Sequence, residues 1–307
     1  MAPLPATESK TQKKTVAKEL FPLANILVAT DFSSTSDRAV DFAVSLARRF
    51  GSRVFVTHIL GYAGHDVMEP NLAVPAPGDF YRQAEKKAKE LEDSGRLFGV
   101  QYQFVIEEGT LWPALQDLIE RHKIDLLVLG THGISGVMKV LTGSSAEQVF
   151  RQARIPVLTV GPGITQDPLF EAEFKTILCA TDFGPAAERE VACAFALAQE
   201  HRAKLLLLHV SGPKEGLNES DLVFEREAIV HALQKLVPAD CELTSKLEFD
   251  LAFGEPVEQI LKVAGETKAD LVVIGAKSRE NLAGHIPHTK AYRIVCHAKC
   301  PVLTVKS

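Results

Sequence analysis

The residues best placed to do chemistry fall in one stretch, "GTHGISGVMKVLTGSSAEQVF", residues 130–150. Gly130, Gly133, Gly136 and Gly143 lie close together, and Ser144 and Ser145 follow at once. Glycine in such numbers weakens a regular element, because it loses the most backbone freedom on folding. The chemistry this pattern serves is anion binding: backbone N–H groups of a glycine turn, just ahead of a helix N-terminus, point at phosphate oxygens. The known phosphate loops do not match. There is no G-x-x-x-x-G-K, hence no Walker lysine, and no G-x-G-x-x-G, so the dinucleotide fingerprint fails. What stands is glycine, two residues, Gly133, nine residues, then Gly143-Ser144. His132 lies inside the loop, but no carboxylate or nucleophile pairs with it at a readable spacing, so nothing marks it as a general base.

Other candidate groups are fewer. Asp31 sits in "DFSSTSD", which is full of N-cap residues, and reads either as a border of the ligand site or as a cap for the helix that follows. His58 reads as a packed or hydrogen-bonded histidine. The five cysteines all fall in the second half, and their odd number argues against a disulfide framework. Cys296, His297 and Cys300 have a metal-like spacing. Pro301 ends the helix there, however, so the two thiols fall on different elements and read as buried and reduced.

The elements that must position the glycine loop are a strand before it and a helix after it. "IDLLVLG" is a short apolar run closed by Gly130. "SSAEQVFRQA" opens with Ser144 and Glu147 at capping-box spacing and is expected to be helical over 145–154. The rest of the first half alternates in the same way. Strands are expected over 26–29, 54–59, 101–106, 126–129 and 157–160. Helices are expected after Ser36 with apolar residues at Ala39, Phe42, Ala43, Leu46, Ala47 and Phe50, over about 81–97, and over 111–123. Such alternation implies parallel strands with helices on both faces. Thr30-Asp31, His58-Ile59 and the glycine loop all fall at strand carboxyl ends, where sheets of this kind bind ligands.

The pattern then recurs. "ILVATDFS" at 26–33 returns as "ILCATDFG" at 177–184, and residues 109–160 lie over 254–305 without a gap, ending in "PVLTV" both times. The overlay pairs His58 with His209, Gly109 with Gly254, Asp125 with Asp270, and Gly130 with Gly275. The chain is a duplication, each copy being the size of a domain. The expected organisation is a disordered tail over 1–22, a first domain over 23–162, a linker over 163–173 and a second domain over 174–307. The fold class is α/β: two tandem, doubly wound, parallel five-stranded sheets of Rossmann-like type.

The glycine spacing, its strand–loop–helix setting and the opening "ILVATDFS" resemble the universal stress protein family and its ATP-binding signature. The resemblance implies that Ala29, Thr30 and Asp31 border the adenosine, Ile59 packs on the adenine, and Leu129 and Gly130 lie near the ribose and α-phosphate. Gly133, Gly143, Ser144 and Ser145 would cradle the phosphates. It also implies ATP with Mg²⁺ or Mn²⁺ on the phosphates, no protein ligand to the metal being identifiable. Family members commonly pair through their last strand, so the two "PVLTV" strands are expected to lie side by side and antiparallel. The chain would then form a pseudo-dimer with itself about a pseudo-twofold axis, and a further homodimer stays open.

The second copy departs from the signature. Ser278 and His288 stand where glycines would, and Pro287 removes an N–H donor. Only the first copy is expected to take nucleotide. With 307 residues, a net charge of -5 and no apolar run of membrane-spanning length, the sequence excludes a strongly basic nucleic-acid binder and a helical membrane protein. No signal peptide is evident, and a cytoplasmic location is expected. The leading function is an ATP-binding regulatory protein with little or no turnover, not an enzyme. A slow ATPase and an interaction scaffold without nucleotide are the alternatives.

Overall fold

The computed structural model describes residues 19–61, 77–130, 149, 152–161, 164, 173–213, 216, 218–239, 243, 246–276 and 289–306. It divides into two compact units, one built around residues 24–155 and one around 156–166 and 173–307.

In the first unit, β1 (Asn25–Ala29), β2 (Arg53–Leu60), β3 (Gln101–Glu108) and β4 (Leu126–Gly130) form a parallel sheet in the order β3-β2-β1-β4. The pairing aligns Ala29 with Thr57 on one side and with Leu129 on the other. Ile26, Leu27, Val28, Leu127 and Val128 are fully buried, as continuous apolar runs covered on both faces should be. Three helices cross over between strands: α1 (Ser34–Phe50), α2 (Pro77–Asp93) and α3 (Leu111–His122). The stripe from Ala39 to Phe50 is buried as its spacing requires. Gly51 closes α1 in the left-handed conformation, φ 75°, and Arg48 and Arg49 lie at the negative end of the helix dipole. α2 begins four residues ahead of its expected start. Pro77 is well suited to a first helical turn, Asp79 supports it, and Gly95 at φ 76° stops the chain from continuing to Leu97.

The second unit repeats this plan. It contains β5 (Val157–Val160), β6 (Thr176–Ala180), β7 (Lys204–Ser211), β8 (Leu247–Phe253), β9 (Leu271–Ala276) and β10 (Val302–Lys306). Their order is β5-β10-β9-β6-β7-β8. The helices are α4 (Ala187–His201), α5 (Glu219–Leu236), α6 (Pro256–Glu266) and α7 (Lys290–His297). β10, β9, β6, β7 and β8 run parallel, while β5 is antiparallel to β10, with Leu158 opposite Leu303. The expected pairing of the two "PVLTV" strands is therefore present, and it places the fifth strand of the first repeat in the second unit. Two threonines reinforce it: Thr159 Oγ1 donates to the Val302 carbonyl at 3.0 Å and Thr304 Oγ1 to the Val157 carbonyl at 3.2 Å.

The duplication reaches single hydrogen bonds. Asp125 Oδ2 accepts from the Ala24 and Asn25 amides, both at 2.8 Å, and fixes the start of β1 against β4. Asp270 Oδ2 does the same for Lys175 and Thr176, at 2.7 and 2.8 Å. Gly109 and Gly254 follow the third strand of each repeat with φ of 142° and 129°, conformations that side chains oppose. The tail through residue 18, most of the linker, and most of the helix expected over 145–154 lie outside the described residues; Val149 and Gln152 are helical, while Ala153 and Arg154 are not, so that helix stops before its expected end ahead of Pro156.

Candidate functional site

In the first unit the strand order reverses between β1 and β4, and right-handed crossovers on the two sides of such a reversal leave on opposite faces. A crevice at the carboxyl ends of these two strands is where a doubly wound sheet takes a ligand. Ala29, Thr30 and Asp31 line one side of it, Leu129 and Gly130 the other, and Ile59 stands beyond Ala29 at the end of β2. The structure thus brings six of the sequence-derived positions to one edge of the sheet. Gly133, Gly143, Ser144 and Ser145 lie outside the described residues.

The turn after β1 is held by side chains. Thr30 is buried; its amide donates to the Thr57 carbonyl at 2.8 Å, and its Oγ1 accepts from the Phe32 amide at 2.9 Å. Oγ1 also lies 3.0 Å from Ser36 Oγ, which in turn donates to the Ser33 carbonyl. Phe32 takes a positive φ of 60°, a strained state for a bulky residue. Its ring rests on His58, with centroids 4.8 Å apart, and Lys87 Nζ lies 5.7 Å from the ring centre. His58 Nδ1 is 2.8 Å from the Thr30 carbonyl. A carbonyl only accepts, so Nδ1 carries the proton. His58 is the hydrogen-bonded, packed histidine expected of it.

Asp31 does not cap the helix. Ser33 is the N-cap, accepting from the Ser36 amide at 3.2 Å, whereas Asp31 Oδ1 accepts from the Ser33 amide at 3.0 Å and shapes the turn before it. In a segment with this many capping residues, the hydroxyl at 33 has the right offset to the third helical amide, and the carboxylate two residues earlier does not. Burial raises the Asp37 pKa above the usual carboxylate value; the Arg96 guanidinium opposes this and Asp31 adds to it.

Gly130 serves a purpose the sequence did not reveal. A Cβ there would come within 3.2 Å of the Thr35 and Ser36 backbone. The glycine lets the first turn of α1, with its positive dipole end, approach the end of β4. This is an arrangement favourable to an anion held at the crevice. Among the described residues no group of three His, Cys, Asp or Glu side chains is gathered as a metal cage.

The second unit copies the turn: the Thr181 amide donates to Leu208 O at 3.0 Å, His209 Nδ1 lies 2.9 Å from Thr181 O, and Phe183 has φ 56°. It lacks the hydroxyls, with Gly184 and Ala187 standing where Ser33 and Ser36 do, and α4 has no side-chain cap. It also holds a buried carboxyl, Glu190, that sequence reasoning passed over. The one available signal was the contrast with Ala39 at the matching position. The two thiols fall on different elements as expected, Cys296 on α7 and Cys300 past its end, ahead of β10; Cys300 is buried, but Cys296 is only part-buried, contrary to expectation.

Comparison with known proteins gives a consistent assignment. The model of the universal stress protein family matches residues 23–161 and again 173–306. A universal stress protein of Thermus aquaticus is 36% identical over 139 residues, covering 43% of this chain and 99% of that protein. One from Mycobacterium bovis is 22% identical over 301 residues, 92% of this chain and 96% of the relative, so the tandem arrangement is shared along its length. Among solved structures, a universal stress protein from Archaeoglobus fulgidus has the same fold, with a TM-score of 0.67 at 19% identity over 94% of this chain and 98% of that one. No helix among the described residues is long and apolar enough to cross a membrane.

Proposed function

Because the chain belongs to the universal stress protein family, we propose that it is a cytoplasmic, ATP-binding regulatory protein that takes one nucleotide per chain, in the first repeat, and turns over little or none of it. The observation that carries this reading is the crevice between β1 and β4. Thr30 and Gly130 flank the reversal of strand order, and Gly130 admits the N-terminal end of α1 to within contact of the strand end. The adenosine would lie along Ala29, Thr30, Asp31 and Ile59, with Leu129 and Gly130 toward the ribose and α-phosphate. The phosphates would meet the backbone of Gly133, Gly143, Ser144 and Ser145, and Mg²⁺ or Mn²⁺ would ride on phosphate oxygens and water. The glycine loop brings no Walker lysine, arginine finger or base paired with a nucleophile at a readable spacing, and this pattern favours holding over hydrolysis.

Calorimetric titration of the full chain with ATP and Mg²⁺ tests the reading. One site per chain is expected, and Gly143→Val is expected to abolish it without loss of the fold, since the added side chain would occupy phosphate space. No heat and no thermal shift at millimolar ATP, or undiminished affinity in folded Gly143→Val, would overturn it. Phosphate release above background that disappears in Gly133→Ala would move the assignment to a slow ATPase.

A further inference from the structure

Glu190 stands on α4 where Ala39 stands on α1, one carboxyl added between the turn after β6 and the end of β9. It is 1% exposed, and among the described residues its Oε2 has no hydrogen-bond partner, while the Thr181 side chain hydrogen-bonds the carboxyl. The other oxygen is wedged beneath the end of β9. A Cβ added to Gly275 would lie 2.0 Å from Glu190 Oε1. Gly275 matches the first glycine of the phosphate pattern, yet in this unit its missing side chain makes room for a carboxyl. Among the described residues the groups facing it are Asp182 from the turn after β6, the Cys179 thiol on β6, and Cys193 on α4 itself. Arg189, its neighbour on the helix, directs its guanidinium to the Lys306 carbonyl of β10 at 3.1 Å.

We propose that Glu190 is a proton-binding site of the second repeat: neutral, it stays wedged between Thr181 and Gly275 and holds the first turns of α4 against the ends of β6 and β9; ionised, it leaves the pocket and loosens that junction. A buried carboxylate with an unpartnered oxygen is costly, whereas the acid form is tolerated there. Burial raises the pKa from 4.5 to about 7; the Thr181 hydrogen bond opposes the rise and the Asp182 charge adds to it. The site therefore changes charge near neutral pH. The first repeat, with Ala39, has no equivalent. The proposal does not depend on nucleotide binding in the first repeat.

The sign follows from linkage. A group whose folded pKa is raised stabilises the fold fully below its unfolded value. That contribution falls away as pH climbs from about 4.5 to about 7 and is gone above it. Thermal midpoints of the full chain should therefore decline relative to Glu190→Gln across that interval, and run parallel above it. The gap corresponds to roughly 300-fold in the unfolding constant. In protein labelled with ¹³C at glutamate carboxyls, the Glu190 signal, assigned by its loss in Glu190→Gln or Glu190→Ala, should titrate near pH 7. The Gly275 and Ala276 amides, corrected for intrinsic rates, should exchange faster above pH 7 in the natural chain but not in Glu190→Gln. Titration near 4.5, or midpoints that run parallel to Glu190→Gln from pH 4.5 to 7, would overturn the proposal. So would amide exchange at Gly275 that is insensitive to the substitution. If neither variant folds, titration of the natural chain still decides, because a glutamate signal moving near pH 7 must be present.

Discussion

Thr30 shows how much one hydroxyl can organise. It accepts from the Phe32 amide, touches Ser36 Oγ, and sits under a carbonyl that His58 secures. Valine matches its shape but leaves the Phe32 amide without its acceptor in a part-buried turn. Thr30→Val should cost roughly 1–3 kcal/mol, read as a lower midpoint in chemical denaturation with unchanged slope. An unaltered midpoint would mean the turn is held by the Phe32–His58 stack alone. The motif "ATDF" marked a turn at a strand carboxyl end, and the turn is there in both repeats. Its details were less legible. Asp31 and Ser33 both carry capping groups, and only the offset of each oxygen to the helix amides separates the turn former from the cap. Glu190 was invisible for a related reason: a glutamate in "AEREVA" reads as a solvated helix position, and what buries it is the end of a strand some 80 residues later in the chain.

Elements were read best where one period dominates. The stripe from Ala39 to Phe50 and the apolar strands at 26–29, 126–129 and 157–160 appear where spacing put them. The boundary of α2 moved because its sequence is polar on most positions, leaving Pro77 and Gly95 to set the ends. Gly109 offers a clean test of backbone geometry at this scale. Its φ is 142°, its amide donates to Leu60 O at 2.9 Å, and an added Cβ would meet nothing within 4 Å. Gly109→Ala should therefore lose roughly 1–3 kcal/mol through conformation alone. Gly254→Ala should lose at least as much, since there the added carbon would also meet Gln259 Nε2 at 3.2 Å. Equal stability of Gly109→Ala and the natural chain in equilibrium denaturation would show that this connection relaxes freely.

For the molecule as a whole, the repeat in the sequence predicted both halves, and the family resemblance predicted the antiparallel meeting of their last strands. Sequence order alone did not show that β5 would belong to the compact unit of the second repeat, because membership depends on which neighbours a strand finds in three dimensions. The separately expressed segment 24–162 carries β5 without β10, with its β10-facing edge of valine and leucine left bare. It should self-associate or aggregate, as measured by sedimentation at tens of micromolar. A stable monomer at that concentration would show that the edge is protected without β10.

The pairing of β5 with β10 also sets a clock. Thr159 and Val302, joined by a hydrogen bond, are 143 residues apart in the chain. At a synthesis rate of about 5–20 residues per second, roughly 7–30 s separate the emergence of one strand from that of its partner. Throughout that interval the ribosome presents an apolar strand with an open edge, longer than a small domain needs to fold. The second half of the polypeptide is thus a late-arriving cover for a strand made early. A nascent chain halted between the repeats would recruit holding chaperones to 157–160 that the finished molecule has no use for.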